Sequence, residues 1–306
     1  MQIPPTAFVL DVGPRDGFQG IGEFIPTHIK LGIIERLVKA GIKRVQITSF
    51  VSPKAIPQMA DRMEVASRTL EMFPDADFCA LVPSIRGCRD AHDVGLRKIN
   101  FVVSLSESSN KANVNKTHEQ SFNDLNEIMQ AFPDMDLRVD LATTYGCAYE
   151  GMFTASQVVD FVGKLVDAGV RKVTMCDSIG TAYPSLIEEV IVAVRNAFPQ
   201  LAEIWAHIHD TRNMGIINTF TALQAGVNGV ETTIGGSGGC PYAPGASGNT
   251  STEDLIYMLN SMGVDTGVNF DKLMEAAVFA YDNIPTGNFS SHQIMVAKGL
   301  GKACGA

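Results

Sequence analysis

A short run of β-favouring residues followed by an amphipathic helical run recurs roughly every 30 to 40 residues along this chain, the length of one strand–loop–helix unit. The unit can be counted eight times. The predicted strands are Phe8–Asp11, Arg44–Ser49, Asp77–Val82, Lys98–Ser104, Leu137–Thr143, Lys172–Asp177, Ile204–His209 and Gly229–Thr233. Helix-period segments lie between them. Thr27–Ala40 is one, with Thr27 as its N-terminal cap and Gly41 as its stop, and Thr154–Ala168 repeats the device with Thr154 and Gly169. Ala40-Gly41, Ala168-Gly169 and Ala225-Gly226 each precede a strand, as if one helix-to-strand joint were used repeatedly.

Strict alternation repeated eight times predicts an α/β fold, a closed parallel (βα)8 TIM barrel. The competing doubly wound sheet would carry a glycine-rich GxGxxG after its first strand, and none is present. Helical segments after about Asn269 extend the chain beyond the eighth unit. No low-complexity linker divides the sequence, so residues 1–306 read as a single barrel domain with a C-terminal helical extension.

Charge narrows the function. The chain has 33 acidic against 24 basic residues, a formal net charge of −9, and no run of basic residues that would attract nucleic acid. Its apolar stretches fall short of the roughly 20 residues that cross a bilayer. The start, Met1–Leu10, lacks the basic region of a signal peptide, so a cytoplasmic location is expected. Cys79, Cys88, Cys147, Cys176, Cys240 and Cys304 are scattered without CxxC pairs and read as reduced thiols.

In a barrel of this kind the loops that follow each strand crowd one face, so polar residues at strand C-termini are candidates for a shared site. Strand one ends in Asp11-Val12-Gly13-Pro14-Arg15-Asp16-Gly17, strand six in Cys176-Asp177-Ser178, and strand seven in His207-Ile208-His209-Asp210. His207 and His209, two apart on a strand, share a face. That spacing suits a metal ion if a carboxylate from another strand joins them, Asp16 or Asp177 being best placed. Two polar residues satisfied by backbone groups is the alternative. Strand eight feeds the loop Gly235–Asn249, which holds six glycines and two prolines and carries Cys240 and Asn249. In such a setting Cys240 could serve as nucleophile or acid/base, or it could be a small buried side chain. Arg15 could pair with Asp16 or clamp a carboxylate or a developing enolate oxygen. Ser106–Asn115, with Asn113 and Asn115 two apart, is either a solvated loop or a wall for a polar substrate arm.

With these residues in view, the chain resembles the 3-hydroxy-3-methylglutaryl-CoA (HMG-CoA) lyase family of metal-dependent acyl-CoA lyases. The matching segments are DVGPRDGFQ (Asp11–Gln19), TSFVSPKAIPQMAD (Thr48–Asp61), SES with NVN (Ser106–Asn115), GCAYEG (Gly146–Gly151), CDSIGTAYP (Cys176–Pro184), HIHDT (His207–Thr211) and GGCPYAPGASGNTSTEDLIYML (Gly238–Leu259). The resemblance implies a TIM barrel holding Mg2+ or Mn2+ by Asp16, His207, His209 and Asn249. It also implies an acyl-CoA substrate and retro-Claisen cleavage to acetyl-CoA and a keto acid, acetoacetate for HMG-CoA. Arg15, Asp16, His207 and Cys240 would be catalytic, with Asp16 or His207 taking the hydroxyl proton, Arg15 stabilising the enolate and Cys240 helping to protonate it. Arg15, Gln19, Gln46, Ser49, Asn113 and Asp177 are expected to contact substrate, and the glycine-rich loop to act as a lid. A homodimer or higher homo-oligomer is the expected assembly. The sequence departs from the family pattern at Gln46, where a Glu is usual, at Asp11, again in place of Glu, and at Arg212-Asn213-Met214-Gly215 after the HDT motif. These departures bring a related thioester, such as citramalyl-CoA or a longer 3-hydroxy-3-alkylglutaryl-CoA, into the expected range. A Claisen-condensing acyltransferase and a non-catalytic barrel are the other readings.

Overall fold

The computed structural model describes residues 4–239 and 248–300. Eight strands, β1 (Val9–Asp11), β2 (Arg44–Ser49), β3 (Asp77–Leu81), β4 (Lys98–Ser104), β5 (Asp136–Ala142), β6 (Lys172–Asp177), β7 (Glu203–Ile208) and β8 (Gly229–Thr232), form a closed barrel. They pair in chain order, every pair parallel, and β8 returns to β1 with Val9 opposite Val230. The expected barrel is therefore present. Its strands start and stop within a residue or two of the sequence expectation. β5 ends early because Thr143 takes a left-handed backbone (φ 57°), and His209, beyond the end of β7, bridges to Asn249 instead of extending the ladder.

Helices α1 (Thr27–Ala40), α2 (Arg62–Met72), α3 (Ile85–Asp93), α4 (Glu107–Val114), α5 (His118–Ala131), α6 (Ala155–Asp167), α7 (Pro184–Ala197), α8 (Gly215–Gln224) and α9 (Thr252–Ser261) follow the strands, and α10 (Phe270–Asn283) and α11 (His292–Ala297) form the extension. The three Ala-Gly joints share one physical device. Gly41, Gly169 and Gly226 have φ of 93°, 101° and 85°, a left-handed turn that a side chain would strain. The next residue then bonds back five positions, Ile42 N to Leu37 O, Val170 N to Leu165 O and Val227 N to Ala222 O, and buries its own side chain. Thr154 caps α6 as expected, in a reciprocal box with Gln157. Thr27 does not cap α1. Pro26 holds the capping position, and Thr27 sits inside the first turn, where its Oγ1 donates to Asp61 Oδ2 at 2.9 Å and ties α1 to the start of α2.

Two apolar regions result. The larger lies between strands and helices, and a smaller one of Leu10, Val12, Cys79 and Trp205, with Phe8 against it, fills the barrel interior near the strand N-termini. Trp205 takes the edge of Phe8 at 5.3 Å and the Arg138 guanidinium over its face at 4.4 Å. This plug closes one end of the barrel and leaves the strand C-termini as the open mouth. The C-terminal extension buttresses that mouth. α10 lies against α1, Arg36 resting on Phe279 at 3.7 Å, and the segment before α11 sends Ser290 and Ser291 N–H groups to Gly235 O. No helix among the described residues is long and apolar enough to cross a membrane.

Two buried carboxyls stand behind the mouth. Glu253 accepts from Gly235 N at 3.1 Å and leaves Oε1 without a partner, so burial pushes its carboxyl up to about 8 against hydrogen bonds that lower it. Burial likewise carries Asp11 up to about 7. A carboxyl raised in the folded state contributes full stability below its unfolded value, 4.5 for Glu253, and loses it as pH rises through the folded value. The wild-type Tm is accordingly expected to fall between about pH 5 and 8, and Glu253→Gln, which cannot ionise, to fall less. Melting curves across that range test this; equal slopes would show that Glu253 is already ionised in the fold.

Candidate active site

The site begins with Asp11, whose Oδ1 accepts from Gly13 N at 2.8 Å and whose Oδ2 accepts from Thr252 Oγ1 at 2.6 Å. These bonds turn the chain sharply after β1 into a single wide turn at Gly13–Gly17. A side chain at Gly13 would come within 2.8 Å of both Asp11 Oδ1 and Ile234, so the turn needs glycine there. Arg15 and Asp16 are thereby held over the barrel mouth. Arg15 Nη1 donates to Asp16 Oδ1 at 2.5 Å, and its Nε donates to Gln46 Oε1 on β2. Gln19 Nε2 reaches Asp16 Oδ1 at 3.2 Å and Asn249 Nδ2 reaches Asp16 Oδ2 at 2.8 Å.

From β7, alternation points Trp205, His207 and His209 to the interior, the first into the plug and the other two into the open half. His207 Nε2 lies 3.8 Å from Asp16 Oδ2, and ligand atoms of Asp16, His207 and His209 all fall within 4.8 Å of one another. The other face of His207 is fixed. Its Nδ1 meets Glu231 Oε2 at 3.1 Å, and Glu231 Oε1 accepts from Arg138 Nη2, the guanidinium that stacks on Trp205. A line of contacts thus runs from the plug to the mouth.

Burial would push the Asp16 carboxyl up, but Arg15, His207, His209 and the Asn249 hydrogen bond together hold it well below the usual carboxylate range. Burial, the neighbouring imidazole and Arg15 push His209 down to about 4, so its ring is neutral and offers a lone pair. His207 is opposed by burial and raised by Glu231 and Asp16. His209 Nδ1 and Asn249 Oδ1 are buried without hydrogen-bond partners. One carboxylate, two imidazoles and one amide oxygen, two of these groups with an unpartnered buried atom, form a donor set that fits a divalent cation.

The cavity above this cluster has a volume of about 710 Å³ and takes in Arg15, Asp16, Gln19, Ser49, Asn113, His207 and His209 from the expected set. Ser49 Oγ is buried there without a partner. Ser106–Asn115 is not a loop: Ser106 caps α4, whose outer residues such as Glu107, Ser108 and Lys111 are exposed, while Ser109, Asn113 and Val114 form one wall of the cavity. Asp177 corrects the sequence expectation. Its two oxygens accept from Thr181 N and Ala182 N, both at 3.0 Å, so the carboxylate closes the loop after β6 and lies outside both the cavity lining and the Asp16–His207–His209 cluster. Gln46 also lies outside the lining and reaches the site only through Arg15. Arg212 donates to the carbonyls of Ile179 and Gly180. Cys240 and Cys304 lie outside the described residues. Among those described, Cys176 is the cysteine that lines the cavity, and burial pushes its thiol well up, away from proton transfer at neutral pH. Sequence reasoning missed Glu231, Arg138 and Asp140, which the barrel brings together beneath the histidines. Their signal was ionisable residues at inward-alternating positions of otherwise apolar strands.

The fold is a TIM barrel whose mouth gathers a carboxylate, two histidines and an asparagine, with an arginine beside them, a donor set that fits a divalent cation. The family model described as HMGL-like matches residues 7–279, and the chain belongs to that family. It is 38% identical to the mitochondrial hydroxymethylglutaryl-CoA lyase of Rattus norvegicus over 279 residues, 90% of this chain and 85% of that protein. The cytoplasmic 3-hydroxy-3-methylglutaryl-CoA lyase of Homo sapiens is also 38% identical, over 90% of this chain and 75% of its own length. Among solved structures, the Bacillus subtilis HMG-CoA lyase superposes with a TM-score of 0.90 at 35% identity, covering 97% of this chain and all of that one. An Acinetobacter baumannii HMG-CoA lyase in complex with coenzyme A and 3-methylmalate superposes with a TM-score of 0.89 at 30% identity, covering 100% and 99%.

Carboxylates that orient a metal-binding histidine typically contribute about 10- to 100-fold in metal affinity. Glu231→Gln is therefore expected to weaken Mn2+ binding, read by the electron paramagnetic resonance of free Mn2+, by about that factor. Unchanged affinity in a folded variant would remove Glu231 from the site.

Proposed function

We propose that this chain is a divalent-metal-dependent carbon–carbon lyase that cleaves a 3-hydroxy-3-methylglutaryl-CoA-like thioester to acetyl-CoA and a keto acid. The observation that carries the reading is the Asp16–His207–His209 cluster beside Asn249, with Arg15 aimed into the same cavity. Membership of the HMGL-like family supports it. Asp16, His207, His209 and Asn249 would hold Mg2+ or Mn2+, which when bound supplies a Lewis acid that acidifies the substrate's tertiary hydroxyl.

The chain's own residues do the rest. Asp16 and His207 are the groups beside that hydroxyl able to receive its proton. The oxygen's electron pair then forms the ketone, the bond between C2 and C3 breaks, and its electrons pass to the thioester as an enolate. Arg15, anchored by Gln46 and Asp16, presents cationic N–H groups where that oxygen charge develops. Protonation at C2 completes acetyl-CoA, and the thiol of Cys240 in the glycine-rich loop is the assigned donor. Ser49 and the α4 wall with Asn113 orient the acyl-CoA.

A related thioester as the preferred substrate is favoured by one observation: the anchor of Arg15 on β2 is a neutral amide, which leaves more of the arginine's charge for substrate oxygens than a carboxylate would. The deciding experiment is acetyl-CoA release from HMG-CoA, citramalyl-CoA and 3-hydroxy-3-alkylglutaryl-CoA, each with Mg2+, with Mn2+ and with chelator. Metal-dependent release is expected, and silence across the panel would overturn the lyase reading. Arg15→Ala should lower kcat by about 100- to 1,000-fold, the usual cost of removing one oxyanion-stabilising group. Cys240→Ser should abolish turnover while leaving substrate affinity within a few-fold of wild type; turnover at the wild-type rate would remove Cys240 from the chemistry.

A further inference from the structure

The segment Thr48–Asp61 stands out in the sequence, yet the steps above use only Ser49 from it. Gln58 lies in a short turn at Pro57–Met59, between β2 and α2, and is 4% exposed. Its side chain is committed entirely to the backbone of one distant segment. Nε2 donates to Ile21 O at 3.0 Å and to Glu23 O at 2.8 Å, and Oε1 accepts from Ile25 N at 2.8 Å. Gln58 is in turn held from behind by Lys30 of α1, a lysine only 2% exposed. Lys30 Nζ donates to Gln58 O at 2.5 Å and to Asp61 Oδ1 at 2.8 Å, and it stands 4.4 Å from the centre of the Phe24 ring.

Residues 20–25 run as a strap from Gln19, beside Asp16, to the start of α1, with no helix or strand of their own. Gly20, Ile21 and Gly22 line the cavity together with Val51, Ala55 and Ile56 from the loop after β2. Gly20, Gly22, Glu23 and Phe24 are exposed, so the strap forms the outer rim of the mouth. Ile21 N donates to Phe18 O at 3.0 Å, and residues 22–25 have no hydrogen bond among the described residues besides those of Gln58. A strap without this anchor would have to be ordered by whatever binds against it, and that ordering would be subtracted from affinity. Gln58 orders it in advance.

We propose that Gln58 is a positioning residue that preforms the outer wall of the cavity for the coenzyme A arm of the substrate. The inference rests on the acyl-CoA reading above. Asp16, His207 and His209 lie deeper in the mouth and meet the acyl end, so the part of the substrate that passes the strap is the arm. Ile21, Val51, Ala55 and Ile56 offer that arm an apolar surface, and Gln58 holds Ile21 in place among them. Gln58 has no part in bond cleavage, because Arg15 and Asp16 keep their own anchors in Gln46 and Asn249.

Gln58→Met keeps the length of the side chain and removes all three bonds. Calorimetry on the Mg2+-loaded protein compares coenzyme A itself with 3-hydroxy-3-methylglutarate, the acyl end without an arm. The variant should bind coenzyme A about tenfold more weakly than wild type and the free acid equally well. In turnover of the thioester, KM should rise by about the same factor while kcat stays within a few-fold, the pattern of binding lost equally from ground and transition states. A merely structural role would lower Tm and the fraction of active protein without moving KM. Deuterium exchange at the Ile25 amide should be faster in the variant. Ile21→Ala, a change at the exposed rim, should show the same loss confined to the arm, and it covers the case of an unstable Gln58 variant. Equal affinity of wild type and both variants for coenzyme A, or an equal loss toward the free acid, would overturn the assignment. A wild type that does not bind coenzyme A would overturn the acyl-CoA reading and this inference with it. Binding of coenzyme A without cleavage of any thioester would indict the lyase reading alone and leave the Gln58 result standing.

Discussion

Eight parallel strands hydrogen-bonded in a closed ring leave no sheet edge, and that closure governs everything else in this molecule. Parallel pairing sends every strand C-terminus to one rim, so the turns after β1, β7 and β8 meet although their residues are far apart in sequence. Asp16 and Asn249, 233 positions apart, hydrogen-bond directly for this reason. Closure also forces alternate residues of each strand into a confined interior, which must be filled. Phe8, Leu10, Val12, Cys79 and Trp205 fill the lower half with apolar surface, and the upper half is given to ionisable groups.

Placing so many charges inside a barrel is costly unless each is paired. The chain solves this with linked contacts. Arg138 rests on Trp205 and binds Glu231, Glu231 orients His207, and His207 faces Asp16, which Arg15 neutralises. Removing one partner from a buried pair of this kind costs roughly 3–5 kcal/mol, since the other is left charged and unpaired. The same contacts that make the interior tolerable also set its chemistry. His209 stays neutral and Asp16 stays ionised, which are the protonation states a divalent cation requires.

Support for the mouth comes from behind it. Glu253 and Asp11 hold the backbone of Gly235 and Gly13, so the two turns that flank the site are fixed by carboxyls that face away from the cavity. The C-terminal extension adds a second brace, through Ser290 and Ser291, to the root of the glycine-rich loop. Precise placement of Arg15 and Asp16 therefore depends on residues from the first and last thirds of the chain.

Strand and helix positions were legible in the sequence because they are local. The two-residue period of β-strands, the Ala-Gly stops with their positive φ and the capping box at Thr154 each act within a few residues of themselves. The HxH pair, the Arg15-Asp16 dipeptide and the glycine-rich loop were visible for the same reason. Pairing across the barrel was not. Asp177 and Asp16 look alike at two strand ends, and only the fold commits the first to Thr181 and Ala182 and brings the second to the histidines. Thr27 looked like a cap until Pro26 took that place and Asp61 took its hydroxyl. Glu231, Arg138 and Asp140 gave no motif, because their roles arise from contacts between strands. The sequence by itself determined which segments are strands and which residues carry ligand chemistry, since backbone period and side-chain type are local properties. Tertiary structure alone decided which carboxylate meets His207 and which acids share the floor, since those depend on distances that exist only once the ring of strands has closed.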